Sequence, residues 1–151
     1  MTRLKKIIGG LAMAATVAVT PMVAHADDQD TIDYRKHVMA TLGAQAAALF
    51  MTLQQKAPAE NFAHHVKALA VTSTQALKAF EPNVEGGTAK GDALPKVWSN
   101  WDDFASKMNE LVAKLEALDK AAETGGMAAA GPLVQESFTC KGCHDEYRHA
   151  G

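Results

Sequence analysis

The sequence has few aromatic residues, only two cysteines and no extended basic run. Aromatic residues make up 6% of the chain, whereas a β-sheet protein normally has more of them, together with more Val, Ile and Thr. No Lys/Arg run lies beyond residue 6 and the formal net charge is −2, so composition argues against nucleic-acid binding. Charged residues make up 21%, which is too many for a polytopic membrane protein and too few for a disordered acidic chain.

The abundant residue is alanine, with 29 copies among 151 residues. Alanine is the best helix former, and its small side chain allows helices to pack closely. The length fits one domain and leaves no room for a second core. Composition therefore predicts a small all-α protein.

The N-terminal segment has the three parts of a secretory signal peptide. Residues 1–6 carry three basic side chains and no acid, residues 7–19 are apolar, and Ala24-His25-Ala26 follows. The apolar part is shorter than the roughly 20 residues needed to span a bilayer. We therefore expect residues 1–26 to be removed and 27–151 to form an exported domain with no membrane span. Its 12 basic and 17 acidic residues give a net charge of 12 − 17 = −5.

Apolar residues recur at alternating steps of three and four in three segments, which predicts amphipathic helices. The first stripe comprises Val38, Met39, Leu42, Ala46, Leu49 and Leu53. The second comprises Phe62, Val66, Leu69, Ser73, Ala76, Leu77 and Phe80. The third comprises Val97, Trp101, Phe104, Met108, Leu111, Leu115 and Leu118.

Capping residues and breaks delimit these segments and a fourth one. Asp30 or Thr31 is expected to cap the first helix, and proline is expected to open the second and the third. The predicted breaks fall at 56–58, 81–94 and 123–126, and the last helix is expected from Met127 or Pro132 to His149. Because two of the links are short, the pattern predicts an antiparallel, up-down-up-down four-helix bundle.

Both cysteines lie in Cys140-Lys141-Gly142-Cys143-His144, which is the CxxCH sequence that attaches c-type haem. Each thiol adds to one vinyl group of the porphyrin, and the adjacent histidine becomes the proximal iron ligand. On a helix the three side chains fall at i, i+3 and i+4, so all can project towards one face. We expect one covalently attached haem c near the C-terminal helix, held by Cys140 and Cys143, with His144 on the iron.

Three other uses of the cysteine pair are open at this point. A thioredoxin-type dithiol expects a βαβ pattern, which the sequence lacks. Zinc would recruit Cys140, Cys143 and His149 with His144, yet the neighbouring Cys143 and His144 reach one tetrahedral ion only with difficulty. A disulfide between residues three apart would close a tiny loop and add little stability.

Three stretches together resemble a known family: residues 34–39 (YRKHVM), 95–98 (PKVW) and 140–148 (CKGCHDEYR). With the helix pattern they resemble cytochrome c′ and its low-spin relatives, the class II c-type cytochromes, over essentially the whole mature chain. In this family an aromatic and a basic residue commonly follow the haem histidine at the spacing of Tyr147 and Arg148. Ordinary small c-type cytochromes place CxxCH near the N-terminus, whereas here it lies near the C-terminus.

The resemblance also implies what faces the iron on its other side. The sixth position faces the first helix one turn after the residue that matches Arg35, and here that position is Met39. Ligation by the Met39 thioether implies a six-coordinate centre suited to electron transfer, whereas an open position implies binding of nitric oxide or carbon monoxide. Met39 as an ordinary core residue is the alternative. Arg35 and Arg148 are expected to pair with a haem propionate or to lie near the axial ligand, with solvent exposure as the alternative.

Other side chains are expected to have structural roles. Those expected to pack in the core are Met51, Met108, Trp98 and Trp101, although one tryptophan could border the haem. Those expected on the surface are His37, His64 and His65.

These observations predict a periplasmic monohaem cytochrome that carries single electrons between redox partner proteins. A gas-binding haem protein is the second hypothesis, and a haem-free dithiol or zinc module is the third. No general acid, general base or nucleophile constellation is present, so the chain is not expected to be an enzyme. The resemblance implies a homodimer formed through the first two helices.

Overall fold

The computed structural model describes residues 27–84 and 92–149; the predicted signal peptide, residues 1–26, lies outside them. The described residues form five α-helices and one 3₁₀ turn. The α-helices are α1 (Asp28–Leu53), α2 (Phe62–Phe80), α3 (Lys96–Ser99), α4 (Trp101–Ser137) and α5 (Cys140–Tyr147). The 3₁₀ turn, Ala59–Asn61, precedes α2.

Helix α1 begins earlier than predicted, because Asp27 rather than Asp30 or Thr31 is its N-cap. The Asp27 carboxylate accepts a hydrogen bond of 2.8 Å from the backbone N–H of Asp30. Asp28 and Asp30 then lie in the first turn, where negative charge favours the helix dipole. The prediction failed because several consecutive residues here are suitable caps, and the first of them is used.

The connection between α1 and α2 contains an extra short turn. Pro58 precedes the 3₁₀ turn rather than forming the first turn of α2 itself, so α2 begins at Phe62. The break predicted at 56–58 is confirmed, and Gln55, immediately before it, has a positive φ of 57°.

The predicted third helix is divided at Asn100, whose φ of −128° and ψ of 48° are not helical. Helix α4 then runs to Ser137, but Gly126 interrupts it with φ 58° and ψ −151°. That conformation is accessible essentially only to glycine. The break predicted at 123–126 is therefore confirmed, and α4 has a long first arm and a second arm after Gly126.

The fourth helical segment is not continuous, contrary to prediction. Phe138 and Thr139 have non-helical backbone angles and separate α4 from the eight-residue α5, which ends at Tyr147 rather than His149. The sequence at this break has neither glycine nor proline, so the usual punctuation is absent.

The predicted apolar stripes form the core. Leu49, Val66, Leu69, Leu115 and Leu118 are each no more than 1% exposed. The remaining stripe residues are buried or partly buried against the same cluster. The long first arm of α4 packs on α2, and α2 packs on α1.

Backbone hydrogen bonds fasten the C-terminal end of α5 to the rest of the chain. The Leu94 N–H donates to the Tyr147 carbonyl at 2.9 Å, and the His149 N–H donates to the Asp92 carbonyl at 2.8 Å. Ala93 and Arg148 pair there as an isolated antiparallel bridge. The segment before α3 therefore holds the C-terminal end of α5 in place.

Candidate cofactor site

A cavity of about 680 Å³ lies between α1, the first arm of α4 and α5. Its apolar walls include Ile32, Leu42, Phe104, Met108 and Leu115. All six site residues predicted from the sequence line this one cavity, and they are Arg35, Met39, Cys140, Cys143, His144 and Arg148. The volume is in the range of sites that bind small molecules and cofactors.

Helix α5 presents the two cysteines and the histidine together. Cys140 is exposed, whereas Cys143 and His144 are half-buried, and both thiols are free. Burial raises the pKa of the Cys143 thiol. Burial, helped by the nearby positive charge of Arg148, lowers the pKa of His144. A neutral imidazole keeps a nitrogen lone pair for a metal ion, so the electrostatics of the site favour His144 as a ligand.

Helix α1 presents Met39 to the cavity, half-buried against the core. Glycines line the cavity on both facing helices, Gly43 on α1 and Gly142 on α5. A Cβ atom built at either glycine would meet no other atom within 4 Å. Neither helix therefore places a side chain over the cavity at these two positions.

Arg35 is buried, at 5% exposed, so the alternative of solvent exposure is wrong for this residue. Its Nε donates a 2.8 Å hydrogen bond to the Ala79 carbonyl, and one terminal nitrogen donates to the Pro82 carbonyl. Its guanidinium carbon lies 4.9 Å from the Trp98 ring centroid and 5.4 Å from that of Phe80. Burial lowers the pKa of Arg35. The charge faces the carbonyl end of α2, where the helix dipole is negative.

Arg148, in contrast, is exposed at the end of α5, as the alternative expectation had it. Lys36 and Lys107 also line the cavity, and together with Arg35 and Arg148 they give it four cationic side chains. The acidic lining residues are Asp92 and Glu110. The cavity rim therefore has an excess of positive charge, which suits a ligand that carries carboxylates.

A polar network around Tyr147 was not predicted from the sequence. The Tyr147 hydroxyl donates to Oδ2 of Asp103 and accepts a 3.0 Å hydrogen bond from Nδ2 of Asn100. Lys107 pairs with the same Asp103 carboxylate at 2.7 Å and lies 3.9 Å from Glu146. Tyr147 follows His144 by one turn, so this network fixes the helix that carries the histidine. The only signal in the sequence was the aromatic residue of the CKGCHDEYR stretch.

The native chain is expected to be more stable than a Tyr147→Phe variant, and this difference is expected to shrink as the pH rises above 10. Burial, followed by the hydrogen bond to Asp103, raises the pKa of Tyr147 to about 12. A raised pKa means that the folded state binds the hydroxyl proton more tightly than the unfolded state does. The pKa of tyrosine in the unfolded chain is about 10. The stabilisation is therefore complete below pH 10 and is lost as the pH approaches 12.

The measurement is the difference in thermal midpoint between the native chain and Tyr147→Phe, followed by far-UV circular dichroism from pH 7 to 12. Tyr34→Phe, at the tyrosine that is 51% exposed, is the control. A difference for Tyr147→Phe that grew between pH 10 and 12 would contradict the assignment.

The remaining predicted side chains give a mixed result. Met108 is buried as expected, but Met51 is 48% exposed, so its assignment to the core is wrong. Met51 lies two positions from both Leu49 and Leu53 of the α1 stripe, on the solvent side of the helix. Trp98 and Trp101 pack against the core, and Trp98 Nε1 donates a 2.9 Å hydrogen bond to the Phe80 carbonyl.

The predictions for the histidines outside the motif are also confirmed only in part. His37 and His64 are exposed as predicted. His65 is not, because it lies partly buried between the first two helices with Nδ1 2.8 Å from Oε1 of Gln45. Within 27–84 and 92–149, no group of three or more His, Cys, Asp or Glu side chains is placed to hold a metal ion. The zinc hypothesis therefore has no support in the described residues.

None of the helices in the described part of the chain is both long and apolar enough to span a membrane.

The fold and the site together define a class of protein. The C-terminal helix of a helical bundle presents CxxCH to an apolar cavity with cationic side chains in its lining. This is the arrangement of a c-type haem protein.

The comparisons with known proteins name the family. The family model described as cytochrome C′ matches residues 30–148, so the chain belongs to the cytochrome c′ family. A cytochrome c′ from Rhodospirillum rubrum is 34% identical over 142 residues, covering 91% of this chain and 95% of that protein.

Solved structures confirm the four-helix bundle. Cytochrome c prime from Shewanella frigidimarina superposes with a TM-score of 0.74 at 25% identity, covering 84% of this chain and all of that chain. A nitric oxide complex of a mutant cytochrome c prime from Alcaligenes xylosoxidans gives a TM-score of 0.72 at 26% identity, with the same coverage.

Haem c, covalently bound, is the cofactor of this family. The residues present fit that group, because the cavity is apolar inside, has Lys and Arg side chains in its lining, and is bordered by glycine on both α1 and α5. Two thiols and an imidazole stand on the helix beside it. The predicted cofactor is therefore confirmed.

Proposed function

We propose that this protein is a periplasmic monohaem cytochrome that carries single electrons, with Cys140 and Cys143 as the thioether anchors, His144 as proximal iron ligand and Met39 as distal ligand. One observation carries the proposal: Met39 on α1 and His144 on α5 line the same cavity from two different helices. A thioether opposite an imidazole raises the reduction potential and suits electron transfer.

When bound, the haem supplies a one-electron couple, and the chain supplies the surroundings that make it usable. Cys140 and Cys143 would fix one edge of the ring to α5. The apolar walls, among them Leu42, Phe104 and Met108, exclude water from its faces. The Tyr147 network keeps α5, and hence the His144 imidazole, in a fixed position relative to α4.

The cationic rim would neutralise the haem propionates. Arg148 and Lys36 both line the cavity and have exposed side chains that are free to meet a carboxylate. Arg35 has a different part, because its Nε and one terminal nitrogen already donate to backbone carbonyls. We assign to Arg35 the placement of α1 against α2, and to Arg148 a contact with the haem edge.

Localisation and partners follow from the same proposal. Residues 1–26 would direct export to the periplasm and be removed, leaving the domain 27–151. The partners would be redox proteins that give and accept one electron, and a second copy of the chain packed through α1 and α2. Tyr34 and Val71, both more than half exposed, lie on these two helices.

Gas binding is the second candidate function. The observation in its favour is that a mutant of a structurally similar cytochrome c prime forms a nitric oxide complex. In that case the Met39 sulfur would stay away from the iron, and nitric oxide or carbon monoxide would take the sixth position.

A Met39→Ala variant separates the two functions. If Met39 is the distal ligand, the purified native protein has a low-spin reduced spectrum with a sharp α band, and Met39→Ala becomes high-spin because the sixth ligand is lost. The measurement is the visible spectrum of both oxidation states.

Met51→Ala is the matched control, since Met51 lies on the same helix with 48% of its surface exposed. A native spectrum that is already high-spin and changes with carbon monoxide would instead support gas binding. Colourless protein from cells that attach haem would overturn both.

A further inference from the structure

Lys107 lies in the wall of the cofactor cavity, on the first arm of α4, and the proposed function gives it no part. Its Nζ donates to both carboxylate oxygens of Asp103, at 2.8 Å to Oδ1 and 2.7 Å to Oδ2. To meet a haem propionate it would have to give up this pair. The position of Lys107 in the wall therefore needs another explanation.

Lys107 belongs to a group of four charged side chains that joins α3, α4 and α5. We call this group, made of Lys96, Asp103, Lys107 and Glu146, the four-charge cluster. Nζ of Lys107 lies 3.9 Å from Glu146, which in turn pairs with Lys96 at 2.5 Å. The Tyr147 hydroxyl also donates to Asp103, so this carboxylate is held from two helices. Two positive and two negative charges leave the four-charge cluster with no net charge.

The four-charge cluster is neutral as a whole, but its positive side is turned towards the cofactor cavity. Of these four described residues, Lys107 is the one that lines the cavity. Its hydrogen bond to Asp103 is the main cause that raises the pKa of Lys107, so the ammonium group keeps its charge at neutral pH. A charge fixed in this way is in place before the cofactor changes its own charge, and no rearrangement is needed.

We propose that Lys107 raises the reduction potential of the haem, because it presents the positive side of the four-charge cluster to the cofactor. This rests on the proposed one-electron function. Reduction adds one electron, supplied by a redox partner, and a nearby positive charge stabilises the reduced state relative to the oxidised state. No bond or proton within the four-charge cluster changes in this step.

The test is the midpoint reduction potential of the purified holoprotein, measured by spectroelectrochemical titration at neutral pH and low ionic strength. Lys107→Gln removes the charge and keeps most of the length of the side chain. It is expected to lower the equilibrium constant for reduction about threefold, which is about 28 mV at 59 mV per tenfold. The effect is modest because solvent screens a side chain that is 37% exposed. Lys107→Arg keeps the charge and is expected to have the native potential.

A double variant, Lys107→Gln/Asp103→Asn, separates the orientation of the four-charge cluster from the net charge of the protein. It removes one positive and one negative charge, so the net charge is unchanged. The equilibrium constant for reduction is still expected to fall, by about twofold, because the positive charge that is lost is the one in the cavity wall.

Lys114→Gln is the matched control, since it makes the same change of charge on the same helix. Lys114 pairs with Glu110 at i,i+4, as Lys107 pairs with Asp103, and its side chain is 31% exposed. Lys114 is not among the described residues that line the cofactor cavity. Its effect on the equilibrium constant is expected to stay within about 1.3-fold, because an exposed charge farther from the cofactor is screened.

Four results would overturn the role of Lys107. They are an unchanged potential in Lys107→Gln, an equal shift in Lys114→Gln, a native potential in the double variant, and a change of spin state in the visible spectrum of Lys107→Gln. The last would mean that the substitution alters the iron ligands and not the electrostatic field. The proposed function fails on a different observation, a native reduced spectrum that is high-spin and changes with carbon monoxide. The potentials of the variants can still be compared in that case, so the two failures are distinguishable.

Discussion

A Cys140→Ser/Cys143→Ser double variant is expected to lose its covalently held haem and, with it, its cooperative thermal unfolding. Both thiols line the cavity from α5, and serine hydroxyls do not form thioethers with a porphyrin vinyl group. Without the thioethers no covalent bond retains the haem, so the purified variant is expected to be haem-free. Any residual haem would be extracted by acidified organic solvent, which leaves thioether-bound haem on the chain.

The size of the effect on folding follows from the cavity. Without haem, the apolar inner walls of the cavity of about 680 Å³, among them Leu42, Phe104 and Met108, would be left in contact with water or with unfilled space, and either outcome costs free energy. Domains are stable by only roughly 5–15 kcal/mol. The haem-free chain is therefore expected to collapse into a helical state without fixed packing rather than keep the bundle open.

Two measurements check this result. Far-UV circular dichroism is expected to retain helical signal, while near-UV circular dichroism and the sharp unfolding transition disappear. Lys141→Ser is the control, since Lys141 lies between the two cysteines with an exposed side chain. A double variant that unfolds cooperatively at the native temperature would show that the bundle does not depend on its cofactor.

Arg35→Met is expected to lower the free energy of unfolding by about 3 kcal/mol, because it leaves the Ala79 and Pro82 carbonyls without their donor. Methionine keeps most of the apolar bulk beside Phe80 and Trp98, so the loss reports mainly on the hydrogen bonds and the charge. For a domain of this length the thermal midpoint is expected to fall by about 10 °C.

Arg148→Met is the matched control, because Arg148 is the other arginine among the described residues and is exposed. Its cost is expected to be below about 0.5 kcal/mol, as for most surface substitutions. Equal losses at the two positions would contradict the role of Arg35 as the link between α1 and α2. The measurement is chemical denaturation of each variant, followed by circular dichroism.

The helices that carry the core were predictable because burial follows a fixed period. Stripe positions such as Leu49, Val66 and Leu118 are almost fully buried, as their spacing predicted. The site was predictable for a related reason: CxxCH brings three functional side chains together within one turn and needs no tertiary information. The break at Phe138–Thr139 was not predictable, because it depends on how α5 docks rather than on a glycine or proline.

The hydrogen-bond partners of polar side chains could not be predicted from the sequence either. Arg35 continues the buried stripe of α1 between Ile32 and Val38, and that position was a signal that it is buried. Nothing in the pattern identified its acceptors, because they are backbone carbonyls more than 40 residues away. The pairing of Tyr147 with Asp103 is of the same kind, since it joins residues 44 apart.

The short length of α5 has a consequence for how the protein is assembled. Isolated helices of fewer than roughly 12–15 residues are barely stable in water, and α5 has eight residues cut off from α4 by two non-helical ones. Before it docks, the segment that carries both thiols is therefore an open peptide. A catalyst that attaches the porphyrin would therefore recognise the α5 segment as an accessible, unfolded peptide and not as a preformed surface. Folding of α5 is then coupled to its docking on the bundle and to burial of the haem.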